Sequence, residues 1–536
     1  MKILPRFRAA VAAAALLAAA PAWAKSVPME QATIADLTAA MAAGTLTAEK
    51  LVQMSIARID AYDRQGPKIH AVITLNPKAL DLARQLDAER KAGKVRGVLH
   101  GIPVVLKDNY DTADMQTSGG SVLLEGSLPP DDAFMVRRLK EAGAIILAKV
   151  NMSEFASSSS NSSLGGQSLN PHDLTRQPSG SSGGTGVAIA AAYAPLGFGT
   201  DTGGSIRGPS TVNGIVGLKP THGLLSRDGI IPLALTFDTG GPMTRNVADV
   251  AIALGTMTGI DPNDDATKKS QGKFEKDYTK FLNADSLKGA RIGIARDFMK
   301  QDEEVDWVIE NALKVMKAKG ATIVDVSYPK WMLDAKGEFY AAIRNPEFVP
   351  QVATYLKTLG PKYPKSLPEM IERAGQYTSP RPDGAGPNSA RWTLFQTELA
   401  SSATLSDYRY LSVRDYGLPL MRNAMEGVFA VNKLDAIVYP TAPKRPPAIV
   451  EPTAIPGGAA NTPANFANLT GFPDLIVPAG FTNDDLPVGI SFLGTAFSEG
   501  KILALGYAYE QASRARRLPV NTPALAGEAI EVPDAR

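Results

Sequence analysis

Cysteine is absent from the chain. With it go every thiol nucleophile, every disulfide and every Cys-ligated metal site. Histidine is scarce, at four among 536 residues: His70, His100, His172 and His222. They share no metal-like spacing and no His-Glu-x-x-His occurs, which argues against a zinc hydrolase. The scarcity also leaves any serine nucleophile short of its usual base. No G-x-x-x-x-G-K-[ST] phosphate loop is present. Neither sign of charge dominates, with 56 Lys+Arg against 54 Asp+Glu, so there is no footprint for nucleic acid or an acidic membrane.

What is present begins with an ordinary soluble composition, 44% hydrophobic and 21% charged, in a chain long enough to bury a sizeable core. At the N-terminus Lys2, Arg6 and Arg8 precede an apolar run over residues 9–20 and then Pro21-Ala22-Trp23-Ala24. A basic head, a short apolar segment and an A-x-A end predict a bacterial secretory signal over residues 1–24, cut after Ala24. The run is shorter than a spanning helix. Its removal takes three cations and no acid, moving the formal charge from +2 to −1. The expected location is the periplasm or the outside of the cell, with no membrane attachment after cleavage. The absence of disulfides fits a secreted chain of this size, whose core can suffice.

Along residues 25–536, read as a single domain, the pattern is α/β. Residues 47–62 carry apolar positions at Leu51, Met54 and Ile59 with charges between, an amphipathic helix. A helix over 132–142 is stopped by Gly143 and followed by a buried-strand run at 144–148. Residues 291–295 and 322–326 read as strands flanking a helix over 302–319. Such alternation favours a sheet with helices on its faces. Residues 378–390 and 440–463 read as long loops of the kind that line sites.

The stretch 197–207, GFGTDTGGSIR, sets Ser205 among glycines and threonines, where backbone N–H groups approach a ligand closely. Three chemistries compete here. Gly180-Ser181-Ser182-Gly183-Gly184 satisfies G-x-S-x-G, with Asp201 and His222 following, but no strand precedes Ser182 as a nucleophile elbow requires. Asp201-Thr202-Gly203 and Asp238-Thr239-Gly240 suggest an aspartic pair sharing a proton, yet they lie 37 residues apart without duplicated flanks. The third uses lysine. Lys107 follows the apolar run 102–106 and Lys149 follows 145–148, and either ammonium would enter a low-dielectric interior that favours the neutral, basic form. Pairing of Lys107 with Asp108 at a strand end is the alternative. The residues alone do not choose between the two lysines.

Taken together, Pro178-Ser179-Gly180-Ser181-Ser182-Gly183-Gly184-Thr185, the 199–207 stretch and His100-Gly101-Ile102-Pro103 through Lys107-Asp108 resemble the amidase signature family. The likeness continues through 213–220 and 238–243 and resumes at Gly471-Phe472-Pro473 and 486–490. Its core spans about 45–260 and 460–512, with a variable region at about 327–422. The resemblance implies a mixed central β-sheet sandwiched by helices and a Ser–Ser–Lys triad. By motif position Ser205 is the nucleophile that forms an acyl-enzyme, Ser181 the bridge and Lys107 the base. It further implies a cis Gly180–Ser181 bond and an oxyanion hole from the N–H groups of Thr202, Gly203, Gly204 and Ser205. Asp201 and Arg207 are expected to brace the loop, with Lys149 and Ser182 in support.

No metal or organic cofactor is implied. The expected partner is a small-molecule or peptide amide. The N-terminal half is similar to secreted bacterial peptide amidases at 66–73 and 96–100, whereas the serine-rich run 158–167 departs from that subgroup. Esters and carbamates stay open, as does a catalytically silent binding protein on the same scaffold. Trp331, Met332, Phe339, Tyr340, Tyr355, Tyr363, Trp392 and Phe395 are candidates for either an apolar pocket or core.

Overall fold

The computed structural model describes residues 24–157, 161–376, 388–401, 404–449 and 462–533. Residues 1–23 of the expected signal segment, most of the 378–390 loop and half of the 440–463 loop lie outside the described residues, as do 158–160 of the serine-rich run.

Eleven strands form one sheet. In chain order they are β1 (Val72–Leu75), β2 (Pro103–Lys107), β3 (Ile145–Val150), β4 (Leu196–Asp201), β5 (Val216–Lys219), β6 (Thr239–Thr244), β7 (Arg291–Ala295), β8 (Thr322–Val326), β9 (Ala436–Pro440), β10 (Asp474–Phe481) and β11 (Pro487–Leu493). Across the sheet they run β8-β7-β9-β11-β10-β5-β6-β4-β2-β3-β1. The sheet is mixed: β2 is parallel to both β3 and β4, whereas β4 and β6 are antiparallel. Helices cover it, as the α/β alternation predicts. The predicted strands at 291–295 and 322–326 keep their bounds, and the helix between them runs Glu303–Ala318 with the Asp302 carboxylate capping its N-terminus. Val305, Ile309, Ala312 and Met316 are all buried, the face that the 3.6-residue period selects. The helix predicted at 47–62 runs Ala48–Ile59 and continues as one wider turn to Arg64.

Two features of this topology matter for chemistry. The neighbouring strands β4, β2 and β3, towards one edge of the sheet, are buried at every residue, so Lys107 at the end of β2 and Lys149 within β3 are carried inside by the hydrophobic runs around them. The β4–β6 register pairs Asp201 with Thr239, which brings both Asp-Thr-Gly turns to one end of the sheet.

In the variable region the chain builds a helix of 29 residues, Lys330–Thr358, that passes through Pro346 and Pro350. Proline removes a helical N–H and crowds the preceding turn, so such a helix relies on outside contacts. Glu347 accepts hydrogen bonds from the Thr236 N–H (3.0 Å) and hydroxyl, and Gln351 Oε1 accepts from the Leu235 N–H at 2.9 Å. These contacts dock the helix along the loop that leads into β6.

Candidate active site

Lys107 is fully buried, and its Nζ donates to Ser181 Oγ at 2.7 Å and to Thr200 Oγ1 at 2.7 Å. Asn109 Nδ2 donates to the same Thr200 hydroxyl at 3.0 Å. Burial pushes the Lys107 pKa down to about 7, with Asp201 and Asp238 pulling in the opposite direction. A primary amine that titrates near neutrality, held against a serine hydroxyl, can accept a proton and return it.

The choice between lysines is thereby made by contact. Lys149 is equally buried, but its Nζ lies 3.4 Å from the Asp108 carboxylate and donates to Thr117 Oγ1 and the Gln116 carbonyl. The acid following Lys107 thus pairs with Lys149. A third interior lysine, Lys219, donates to the carbonyls of Pro220 and Phe472, both at 2.8 Å.

The Gly180–Ser181 peptide bond is cis. The Ser181 carbonyl accepts the Ser153 N–H at 3.0 Å, and the Ser182 N–H donates to the Ser205 carbonyl at 3.2 Å, tying the two serine loops together. Ser181 is 2% exposed, whereas Ser205 keeps partial access to solvent. The buried serine touches the lysine, and Ser205 is the more accessible of the two.

Arg207 and Asp201 hold the loop between them. Arg207 Nε and Nη2 each reach an Asp201 oxygen at 3.1 Å, and Nη1 reaches Asp474 at 3.2 Å. Nη2 also donates to Asn468 Oδ1 and, at 2.6 Å, to the Ala464 carbonyl. Burial alone would raise the Asp201 pKa, but Arg207 and Asn468 hold it well below the usual carboxylate range. The same carboxylate accepts the N–H groups of Gly204 (2.8 Å) and Ile206 (3.0 Å). One of the four expected oxyanion-hole donors therefore has a partner in this structure. The Gly204 N–H is already committed to Asp201, at a φ of +121° that glycine alone adopts readily. Among the described residues the N–H groups of Gly203 and Ser205 have no acceptor.

The competing readings of the motifs fail on contacts. Among the described residues Ser182 Oγ engages only the Thr200 backbone and the His222 ring faces the Leu235 carbonyl at 3.0 Å, so these two do not pair. Asp238 is held by the Thr202 hydroxyl and the N–H groups of Leu233 and Ala234, separately from Asp201, and shares no proton with it.

The profile of the family described as Amidase matches residues 50–503. The chain belongs to the amidase signature family. It is an amide-hydrolysing enzyme. The solved peptide amidase of Stenotrophomonas maltophilia superposes with a TM-score of 0.81 at 39% identity, covering 92% of this chain and 99% of that one. One component of the glutamyl-tRNA(Gln) amidotransferase of Thermoanaerobacter pseudethanolicus is 37% identical over 470 residues, 84% of this chain and 91% of its own. The solved counterpart of that component from Thermotoga maritima has a TM-score of 0.70 at 28% identity, over 92% of this chain and 98% of its own.

The roof of the site is set by the helix of the variable region. A Cβ built on Gly203 would lie 2.8 Å from the Tyr340 hydroxyl, so glycine lets this ring sit on the catalytic loop. Tyr340 stacks on Phe237 with centroids 5.4 Å apart. Of the other candidate pocket residues, Tyr355, Tyr363 and Phe395 join a buried cluster around Phe155 and Phe348, Met332 joins a second cluster and Trp331 is exposed.

Two further residues serve the site: Thr200, inside the 197–207 stretch, and Asn109, two residues after Lys107. Thr200→Val removes one acceptor from Lys107. Loss of one hydrogen bond worth about 1–1.5 kcal/mol should lower kcat about tenfold. Because Thr200 stabilises the ammonium form, the kcat/KM pH midpoint should also move below 7, a shift that loss of packing alone would not produce.

Proposed function

We propose that the enzyme releases ammonia or a small amine from carboxamides, with the C-terminal amide of a peptide as the leading substrate class and aryl or alkyl amides next. Ser205 attacks the carbonyl, its proton passing through Ser181 to neutral Lys107. The developing oxyanion is stabilised by the N–H groups of Gly203, Ser205 and Thr202, each worth roughly 3–4 kcal/mol in a preorganised site. Lys107 then returns the proton to the leaving nitrogen. The acyl-Ser205 ester is hydrolysed by water along the same relay. Asp201, Arg207 and Gly180 act by shaping the two serine loops. The observation that carries this reading is the 2.7 Å contact between Ser181 and a fully buried lysine with a pKa near 7.

The preference for peptide amides rests on the likeness to the Stenotrophomonas enzyme over nearly its whole length, and export rests on residues 1–24. A second reading, one component of a tRNA-dependent amidotransferase, draws on the 37% identity to the Thermoanaerobacter protein. The near balance of 56 basic and 54 acidic residues weighs against a surface for charged tRNA.

One panel separates the readings: ammonia release from amidated peptides, aliphatic and aryl amides and glutamine, alongside ester and carbamate analogues. The proposal predicts fastest release from peptide amides. Glutamine as the sole active substrate would favour the amidotransferase, and turnover restricted to esters or carbamates would move the substrate class while keeping the triad. For export, the protein recovered from the periplasm or medium should begin at Lys25. A cytoplasmic product retaining residues 1–24 would contradict that part.

A further inference from the structure

Lys336 stands out among the interior lysines. Lys107, Lys149 and Lys219 each lie near carboxylates whose charge partly offsets the cost of burial. Lys336 is 8% exposed, and among the described residues no carboxylate comes within 4 Å of it. Burial lowers its pKa, and among the described residues no charge offsets that cost. An ammonium carries three donors. One goes to the Thr462 carbonyl, and Nζ lies 5.7 and 5.6 Å from the ring centroids of Phe298 and Phe466. The rings supply negative faces but no hydrogen-bond acceptor of ordinary strength.

Its position ties it to the reaction. Lys336 and Tyr340 lie one turn apart on the helix Lys330–Thr358, roughly 5–6 Å along the axis, on the same face. Tyr340 sits on Gly203, and the Thr462 segment to which Lys336 donates continues to Ala464, whose Cβ lies 3.3 Å from the position of a Cβ on Gly204. Lys336 therefore stands beside the two contacts, from Tyr340 and from the 462–464 segment, that cover the Gly203–Gly204 turn preceding Ser205.

We propose that Lys336 recognises a carboxylate on the acyl part of the substrate, so that the enzyme prefers amides of acidic amino acids, with aspartate or glutamate as the residue bearing the terminal amide. The leaving group of such a substrate is ammonia, which has no room for a carboxylate, so the anion belongs to the acyl side. A charge-assisted hydrogen bond in a site of low dielectric discriminates strongly against a neutral isostere. This inference rests on the amide-hydrolysis reading above.

The test compares kcat/KM for ammonia release from acetyl-Ala-Glu-NH2 and acetyl-Ala-Met-NH2 in wild type, Lys336→Met and Lys336→Arg. Wild type should favour the glutamyl amide at least about tenfold, chiefly through KM. Lys336→Met should lose that preference while hydrolysing the methionyl amide within about twofold of wild type, and Lys336→Arg should retain it. Equal rates on the two peptides in wild type would overturn the proposal. So would a parallel loss on both in Lys336→Met, which would make the lysine a strut for the Thr462 segment. Failure of wild type to release ammonia from either peptide would sink the peptide-amide reading itself, and this inference with it. Labelling of Lys336→Met by a fluorophosphonate at the wild-type rate shows that the variant is folded with an intact triad.

Discussion

Ser205→Ala reduces ammonia release to near background, a loss on the order of 10⁵–10⁶ in kcat if Ser205 is the sole nucleophile of a cooperating triad. Covalent catalysis has no substitute here. Ser181 is buried against Lys107, Ser182 is engaged by the Thr200 backbone, and the chain holds no cysteine. Ser205 is only partly buried and its hydroxyl makes no structural hydrogen bond among the described residues, so the substitution should change stability by no more than about 0.5 kcal/mol. The check is a thermal melt run beside the ammonia assay. Activity surviving in a folded variant would mean that another group attacks the amide.

Lys107→Met is the second large effect, and it separates catalysis from stability. Loss of Lys107, the proposed general base, should cost about 10²–10⁴ in kcat. Wild-type kcat/KM should rise with pH through about 7, as the ammonium is lost from the free enzyme, and that rise should vanish in the variant. Stability should move the other way. The folded pKa of Lys107 lies below that of the unfolded chain, about 10.4, so the charged form is disfavoured in the fold. That penalty is present in full below about pH 7, shrinks as pH rises from 7 towards 10.4, and is absent above. Methionine never incurs it, so Lys107→Met should melt at or above the wild-type temperature at pH 6. Lys149→Met provides the control. Its amine contacts Asp108 and Thr117 rather than Ser181, so the pH profile should keep its midpoint, while removal of half a buried ion pair should destabilise the fold.

What the sequence revealed depended on how local the cause was. The strand Arg291–Ala295 is a short apolar run buried at all but its first residue, whereas Thr322–Val326 is an edge strand buried only at Val326, legible from its place after a helix rather than from burial. The cis bond at Gly180–Ser181 and the roles of the three triad positions came from motif resemblance, which spacing could not have supplied. The hydrophobic runs foretold two buried lysines, but which one meets a serine depends on strand order, since β2 lies between β4 and β3. Thr200 and Asn109 left weak signals, each within two residues of a named position. Asp474 left a similar one beside the named Pro473, and Asn468 and Ala464 left none. They lie more than 250 residues from Arg207 in sequence and reach it only because β10 packs beside β5. The Gly204 N–H looked identical to its neighbours in sequence, and only the fold shows Asp201 claiming it. The helix Lys330–Thr358 was hidden by its prolines, whose cost is offset by tertiary contacts such as those of Glu347 and Gln351.

The central claim is that Ser205 attacks under the control of Lys107, and labelling with a fluorophosphonate across pH 5–9 tests it most directly. The account predicts a single adduct, mapped to Ser205 by peptide mass spectrometry, with a labelling rate that rises through about pH 7 in wild type and is slow and flat in Lys107→Met. An adduct on Ser182 or elsewhere, or a wild-type rate indifferent to pH across that range, would contradict it.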